Sequence, residues 1–135
     1  MPINNAQLTA IISSLQARHT TPDAATLLQA IATWELLANK FGTLIGQNGI
    51  KLIFGRSLDR VRPQFTWLPP AKDAQFAKLQ ESYSQQDGLD AIAANNALLE
   101  AFIVLLATLI GAGLTVQFLR SALADDSASP NQLET

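Results

Sequence analysis

Apolar side chains recur along this chain at intervals of three and four residues, which is the spacing of helices that bury one face. The pattern predicts six helices and no strand, so the expected fold class is all-α. Glycine and proline interrupt the pattern at Pro22, at the pair Gly46 and Gly49, at Pro63 and at Gly88. The predicted helices cover approximately residues 5–19, 22–45, 50–61, 71–83, 89–110 and 114–124.

The predicted helix over residues 89–110 is apolar on nearly every side, which is typical of a central, buried element. A length of 135 residues fits a single domain. Beyond residue 124 the sequence becomes polar. We therefore expect one helical-bundle domain over residues 1–124 and a polar, disordered tail over residues 125–135.

The two halves of the chain share a short sequence pattern. With a shift of 65 residues, and one deletion in the turn, both halves read as a helix with a glutamate, a T-L-I-G turn and a helix with F-x-R-S. The matched pairs are Glu35 with Glu100, Gly46 with Gly111, Phe54 with Phe118 and Arg56 with Arg120. Such self-similarity indicates a duplication. We expect about five to six helices built from two pseudo-repeated helical hairpins, 22–62 and 87–124, with the first and fourth helices as additions.

The repeat places a glutamate and an arginine at similar depths in each hairpin. At a rise of ~1.5 Å per residue the two positions differ by about four residues, a gap that a long arginine can cover. This predicts structural ion pairs, Glu35 with Arg56 and Glu100 with Arg120, or the exchanged pairing across the pseudo-two-fold axis. Burial of Glu100 in its apolar helix would require such a partner. The same four side chains could instead line a charged pocket at the pseudo-two-fold axis that holds a small ligand.

The residue types exclude several kinds of site. The chain has no cysteine, so disulfides, iron–sulfur clusters, cysteine-based zinc sites and thiol catalysis are excluded. His19 is the single histidine, which excludes histidine-rich metal sites. We find no catalytic constellation and predict no enzyme activity, no metal and no cofactor. A net charge of -2 with 15% charged residues argues against nucleic acid as a partner.

Three residues form a candidate partner surface. Trp67 lies in the extended segment 65–70 and either covers the end of the bundle or belongs to a binding surface. Arg60 and Arg62 lie on the predicted third helix, which is locally positive. That helix could bind a phosphate or an acidic partner, although a solvated face is the commoner explanation for its charges.

Residues 101–119 contain no charge over nineteen positions, which is long enough to cross a membrane. The corresponding part of the first half carries Asn39, Lys40 and Gln47, and such a segment does not span a bilayer cheaply. We therefore expect a soluble core helix. The N-terminus has no basic region followed by an apolar run, so a cytoplasmic location is expected.

Residues 44–58, 63–68 and 109–123 carry the motifs L-I-G-x-x-G-I…F-x-R-S-L, P-x-F-x-W-L and L-I-G-x-G-L-T…F-L-R-S-A-L. In these motifs the chain resembles small all-helical bacterial proteins of unassigned function. The resemblance implies a bacterial cytoplasmic helical domain and no activity, cofactor or catalytic residue. We expect a non-enzymatic interaction or regulatory module that forms a homodimer or binds another protein. The alternatives are a small-ligand-binding bundle and a membrane-associated protein that uses residues 101–119.

Overall fold

The computed structural model describes residues 5–17, 24–73 and 75–134, with side chains described at residues 6–17, 25–72 and 75–124. Within these ranges the chain is helical and contains no strand, which confirms the predicted all-α bundle. The helices are α1 (Asn5–Ala17), α2 (Ala24–Val61), α3 (Phe76–Ser84), α4 (Gly88–Ile110) and α5 (Ala112–Glu134), with a 3-10 turn at Ala71–Asp73 before α3.

Helix α2 covers two of the predicted helices. Its 38 residues are interrupted at Gly46, which has φ 80° and ψ 161°. An L-residue rarely adopts a positive φ, so glycine is suited to this break. We call residues 24–45 the first arm of α2 and residues 47–61 its second arm. The predicted break near 46–49 is thus a kink at one glycine.

Helix α4 ends at a second glycine of the same kind. Gly111 has φ 94° and ψ 146°, and its N–H donates to the Ala107 carbonyl at 2.8 Å. The uncharged stretch 101–119 is therefore divided between α4 and α5 and is not one helix. In the described part of the chain α4 itself, Gly88–Ile110, is long and apolar enough to cross a membrane, a test that core helices of soluble proteins also pass.

Helix α5 extends over the segment predicted to be a polar tail. It continues to Glu134, but no side chain beyond residue 124 is described, so the order of the tail stays a prediction. Pro22 and His19 lie outside the described residues.

The core lies between α2 and α4, with α5 packed on both. Helix α1 packs chiefly on α5 and α4, whereas α3 packs chiefly on α2. Trp34 is fully buried at the centre, with its ring 5.1 Å from Phe54 and 5.2 Å from Phe102. Edge-to-face contacts of this kind join the long helices through their largest side chains.

The first arm of α2 and helix α4 meet the core at matching positions. Residues 30–46 and residues 95–111 have the same burial class at every pair except 31 with 96 and 32 with 97. Each segment ends at a glycine with positive φ, and each follows a shorter helix, α1 or α3. These agreements support the predicted internal repeat, which stays a prediction, and they give α1 and α3 corresponding places in it.

Candidate interaction surface

The predicted ion pairs are absent. Glu35, Arg56, Glu100 and Arg120 are all exposed, and among the described residues no ion pair joins any two of them. The premise that Glu100 is buried is wrong, because α4 buries one face and turns Glu100 toward solvent on the other. Glu100, Arg56 and Arg120 line three separate grooves, so the four side chains do not form a charged pocket.

The core also buries a polar side chain, Asn95, which the sequence did not single out. Its Oδ1 accepts hydrogen bonds from Trp34 Nε1 at 2.8 Å and from the Tyr83 hydroxyl at 2.7 Å. Burial raises the pKa of Tyr83 above its ordinary value of 10.0, and the hydrogen-bonding contact with Trp34 partly opposes that shift. The Asn95 amide nitrogen is buried without a partner. This network fixes α2, α3 and α4 to one another and is structural.

Trp67 packs against the same region. Its ring lies 6.1 Å from Tyr83 and 6.2 Å from Phe65, and its side chain is half-buried. Packing therefore accounts for Trp67. Arg62 is half-buried, with a buried Nε that has no hydrogen-bond partner, and Arg60 is exposed. Of the three predicted partner residues, Arg60 alone presents its whole side chain to solvent.

One face of α4 is exposed despite the apolar character of the helix. Only 44% of its most apolar eighteen-residue window is buried. Five exposed residues, with the half-buried Ala97 among them, follow intervals of three and four and so share one face. We call this face the α4 outer stripe: Asp90, Ala93, Ala97, Glu100, Val104 and Thr108. Val104 is 37% exposed; Leu109, which is 59% exposed, lies about 140° around the helix from it.

The α4 outer stripe borders a groove beside α1. The groove has a volume of about 430 Å³. Leu8 and Ile12 of α1 and Val104 and Ala107 of α4 give it an apolar lining. Of the described residues that line it, Glu100 is the only charged one. The stripe therefore combines exposed apolar surface with negative charge.

The corresponding face of the first arm of α2 keeps the glutamate and the threonine of the stripe but differs at other positions. It has Leu28, which is 55% exposed, where α4 has Ala93. Val104 matches Asn39, which is also exposed, and Leu105 matches Lys40, which is equally half-buried. The shared burial pattern therefore tolerates polar side chains at both positions. An exposed valine is not required at position 104 to form the helix or its core contacts.

A second surface on the molecule is basic. Residues 51–78 hold six of the nine cations and two of the eleven carboxylates, a formal net charge of +4. Within this region a cleft of about 480 Å³ lies between the second arm of α2 and the 3-10 turn. We call it the basic cleft, and the residues that define it are Asn48, Lys51, Leu52, Gly55, Arg56, Asp59 and Ala71. Leu52 is 59% exposed between the two cations.

No protein-family model, curated protein or solved structure matches this chain. The described residues contain no group of three or more histidine, cysteine, aspartate or glutamate side chains placed to hold a metal ion. The chemistry of the exposed surfaces is therefore the basis for inferring a function.

Proposed function

We propose that this protein is a non-enzymatic helical interaction module that associates with itself through the α4 outer stripe. The observation that carries the proposal is Val104, an exposed valine at a position where the matching helix has an exposed asparagine. Contact with a second copy would remove the Val104 side chain from water. Buried apolar area contributes about 25 cal/mol per Å², so covering such side chains favours association.

The electrostatics also favour a partner in water over a lipid environment. Asp90 and Glu100 lie on the same stripe as Val104. A membrane-associated role for α4 is the second candidate, because its length and composition permit a span. Glu100 lies near the middle of the helix, however, and an acidic side chain at the centre of a bilayer costs about 2.5–3.5 kcal/mol or more. We propose a cytoplasmic location, and fractionation of cells without detergent distinguishes the two roles: recovery only with membranes would contradict it.

Sedimentation velocity over a range of protein concentrations tests the self-association. The wild-type protein should pass from monomer to dimer as concentration rises. V104N, which installs the residue of the matching position, should weaken the dimer about tenfold, a change that corresponds to about 1.4 kcal/mol.

Two control variants match the change in chemistry. N39V makes the reverse substitution on the first arm of α2, and L28N removes a leucine that is 55% exposed elsewhere on α2. Both should dimerise as the wild type does. A wild-type protein that stays monomeric at every concentration, or a V104N protein that dimerises unchanged, would contradict the proposal.

A further inference from the structure

We infer that the basic cleft of one copy receives the α4 outer stripe of a second copy. This rests on the proposed self-association and names the surface that meets the stripe. The α4 outer stripe holds two carboxylates and no cation, a net charge of -2, whereas residues 51–78 carry +4, and the cleft within them has Lys51 and Arg56 against Asp59. The small net charge of the whole chain thus conceals two regions of opposite sign, and opposite signs attract across an interface.

The two surfaces also match in their apolar positions. In the basic cleft an exposed leucine, Leu52, lies between Lys51 and Arg56. On the α4 outer stripe an exposed valine, Val104, lies one helical turn from Glu100. The cleft therefore offers an apolar side chain beside two cations, with Asp59 also in its lining, and the stripe offers one beside a carboxylate. Contact would cover both apolar groups and set Glu100 near Arg56, which can make paired hydrogen bonds to it.

Every copy carries both surfaces, and this determines the kind of assembly. When two copies are related by a two-fold axis, the stripe of each meets the cleft of the other, so both contacts form and neither surface is left open. The expected assembly is a closed dimer. Because its contacts are charged, the dimer should weaken as ionic strength rises.

Charge reversal in separate chains tests the pairing of surfaces. One variant, K51E/R56E, makes the cleft acidic, and another, D90K/E100K, makes the stripe basic. Each should lose self-association by about a hundredfold or more, because like charges then face each other. An equimolar mixture of the two should form a heterodimer, since a reversed cleft meets a reversed stripe at one contact and the unchanged pair forms the other. Native mass spectrometry identifies that heterodimer by its mass.

A matched control separates the site from the overall charge. R60E/K78E removes two exposed cations that do not line the cleft and changes the net charge by the same amount as K51E/R56E. At the same protein concentration, R60E/K78E should therefore dimerise much more strongly than K51E/R56E. Circular dichroism checks that every variant keeps its helical content.

The outcomes distinguish the two proposals. A wild-type protein that does not associate overturns both. A wild-type dimer that K51E/R56E leaves intact, or that R60E/K78E weakens equally, overturns the assignment of the basic cleft and leaves the role of the α4 outer stripe standing. A mixture of the two reversed variants that stays monomeric, although both are folded, also overturns the pairing.

Discussion

The first arm of α2 and helix α4 bury side chains at matching positions, yet some of their exposed positions differ. Both are buried at the pairs Trp34 with Leu99 and Phe41 with Leu106. At the exposed pair Asn39 with Val104, one helix has an amide and the other an apolar side chain. The buried positions are those that the bundle needs in order to fold. The exposed positions are free to differ, and it is at those positions that a partner surface can arise on one helix alone.

The largest expected effect concerns the pair at the centre of the core. Trp34→Ala should lower the free energy of unfolding by about 3–5 kcal/mol, because it removes a fully buried indole and its donor to Asn95. Leu99→Ala removes the matching side chain, which is also fully buried but makes no such hydrogen bond, and should cost less. Urea denaturation of both variants measures the difference. A smaller loss for Trp34→Ala would contradict a core centred on this residue.

Next in size is the pair of glycines that end the two matching segments. Gly46→Ala and Gly111→Ala should each lower the free energy of unfolding by about 1–3 kcal/mol, because alanine is strained at these positive φ values. An added Cβ would meet no atom within 4 Å at either position, so strain is the whole effect. Thermal unfolding measures both, with Gly113→Ala in helix α5 as the control that should not destabilise. Clearly unequal losses of unfolding free energy would contradict equivalent roles for the two glycines in an internal repeat.

The Tyr83 hydroxyl has no counterpart in the first half of the chain. Its removal should lower the free energy of unfolding by less than the glycine substitutions do. Tyr83→Phe should cost about 0.5–1.5 kcal/mol near neutral pH, since Asn95 then keeps only its bond from Trp34.

Burial raises the pKa of Tyr83, so the folded state holds its proton more tightly than the unfolded state. The contribution of this group to the free energy of unfolding is fully present below its ordinary pKa of 10.0. It declines as pH rises above that value, by up to about 1.4 kcal/mol per pH unit. Tyr83 is the single tyrosine, so the absorbance of tyrosinate reports it directly. Ionisation at the ordinary pKa in the folded protein would contradict the buried hydrogen bond.

The smallest expected effect on stability is the exchange of the exposed pair. Asn39→Val and Val104→Asn should each change the free energy of unfolding by less than about 0.5 kcal/mol when the protein is dilute and monomeric. Denaturation at low concentration measures this. A large loss for Val104→Asn would mean that the valine supports the fold, and the main support for its role in association would disappear.

Much of the fold follows from the sequence, because glycine, proline and apolar spacing act locally. They predict the all-α class and the breaks near Gly46 and Gly111. The ion pairs of Glu35 and Glu100 were predicted wrongly, since exposure of a glutamate depends on which face its neighbouring helices cover. The hydrogen bonds of Asn95 could not be predicted either, because its donors come from α2 and α3. The candidate surface became visible only when matching positions could be compared by burial.

The central claim is that the second of two similarly buried helices, and not the first, carries the partner surface. Methyl NMR with a soluble paramagnetic probe tests it directly by comparing the exposure of Val104 with that of Leu44 on the first arm of α2. As protein concentration rises, the probe effect on Val104 should fall while that on Leu44 stays constant. An unchanged effect at Val104, or an equal fall at Leu44, would contradict the account.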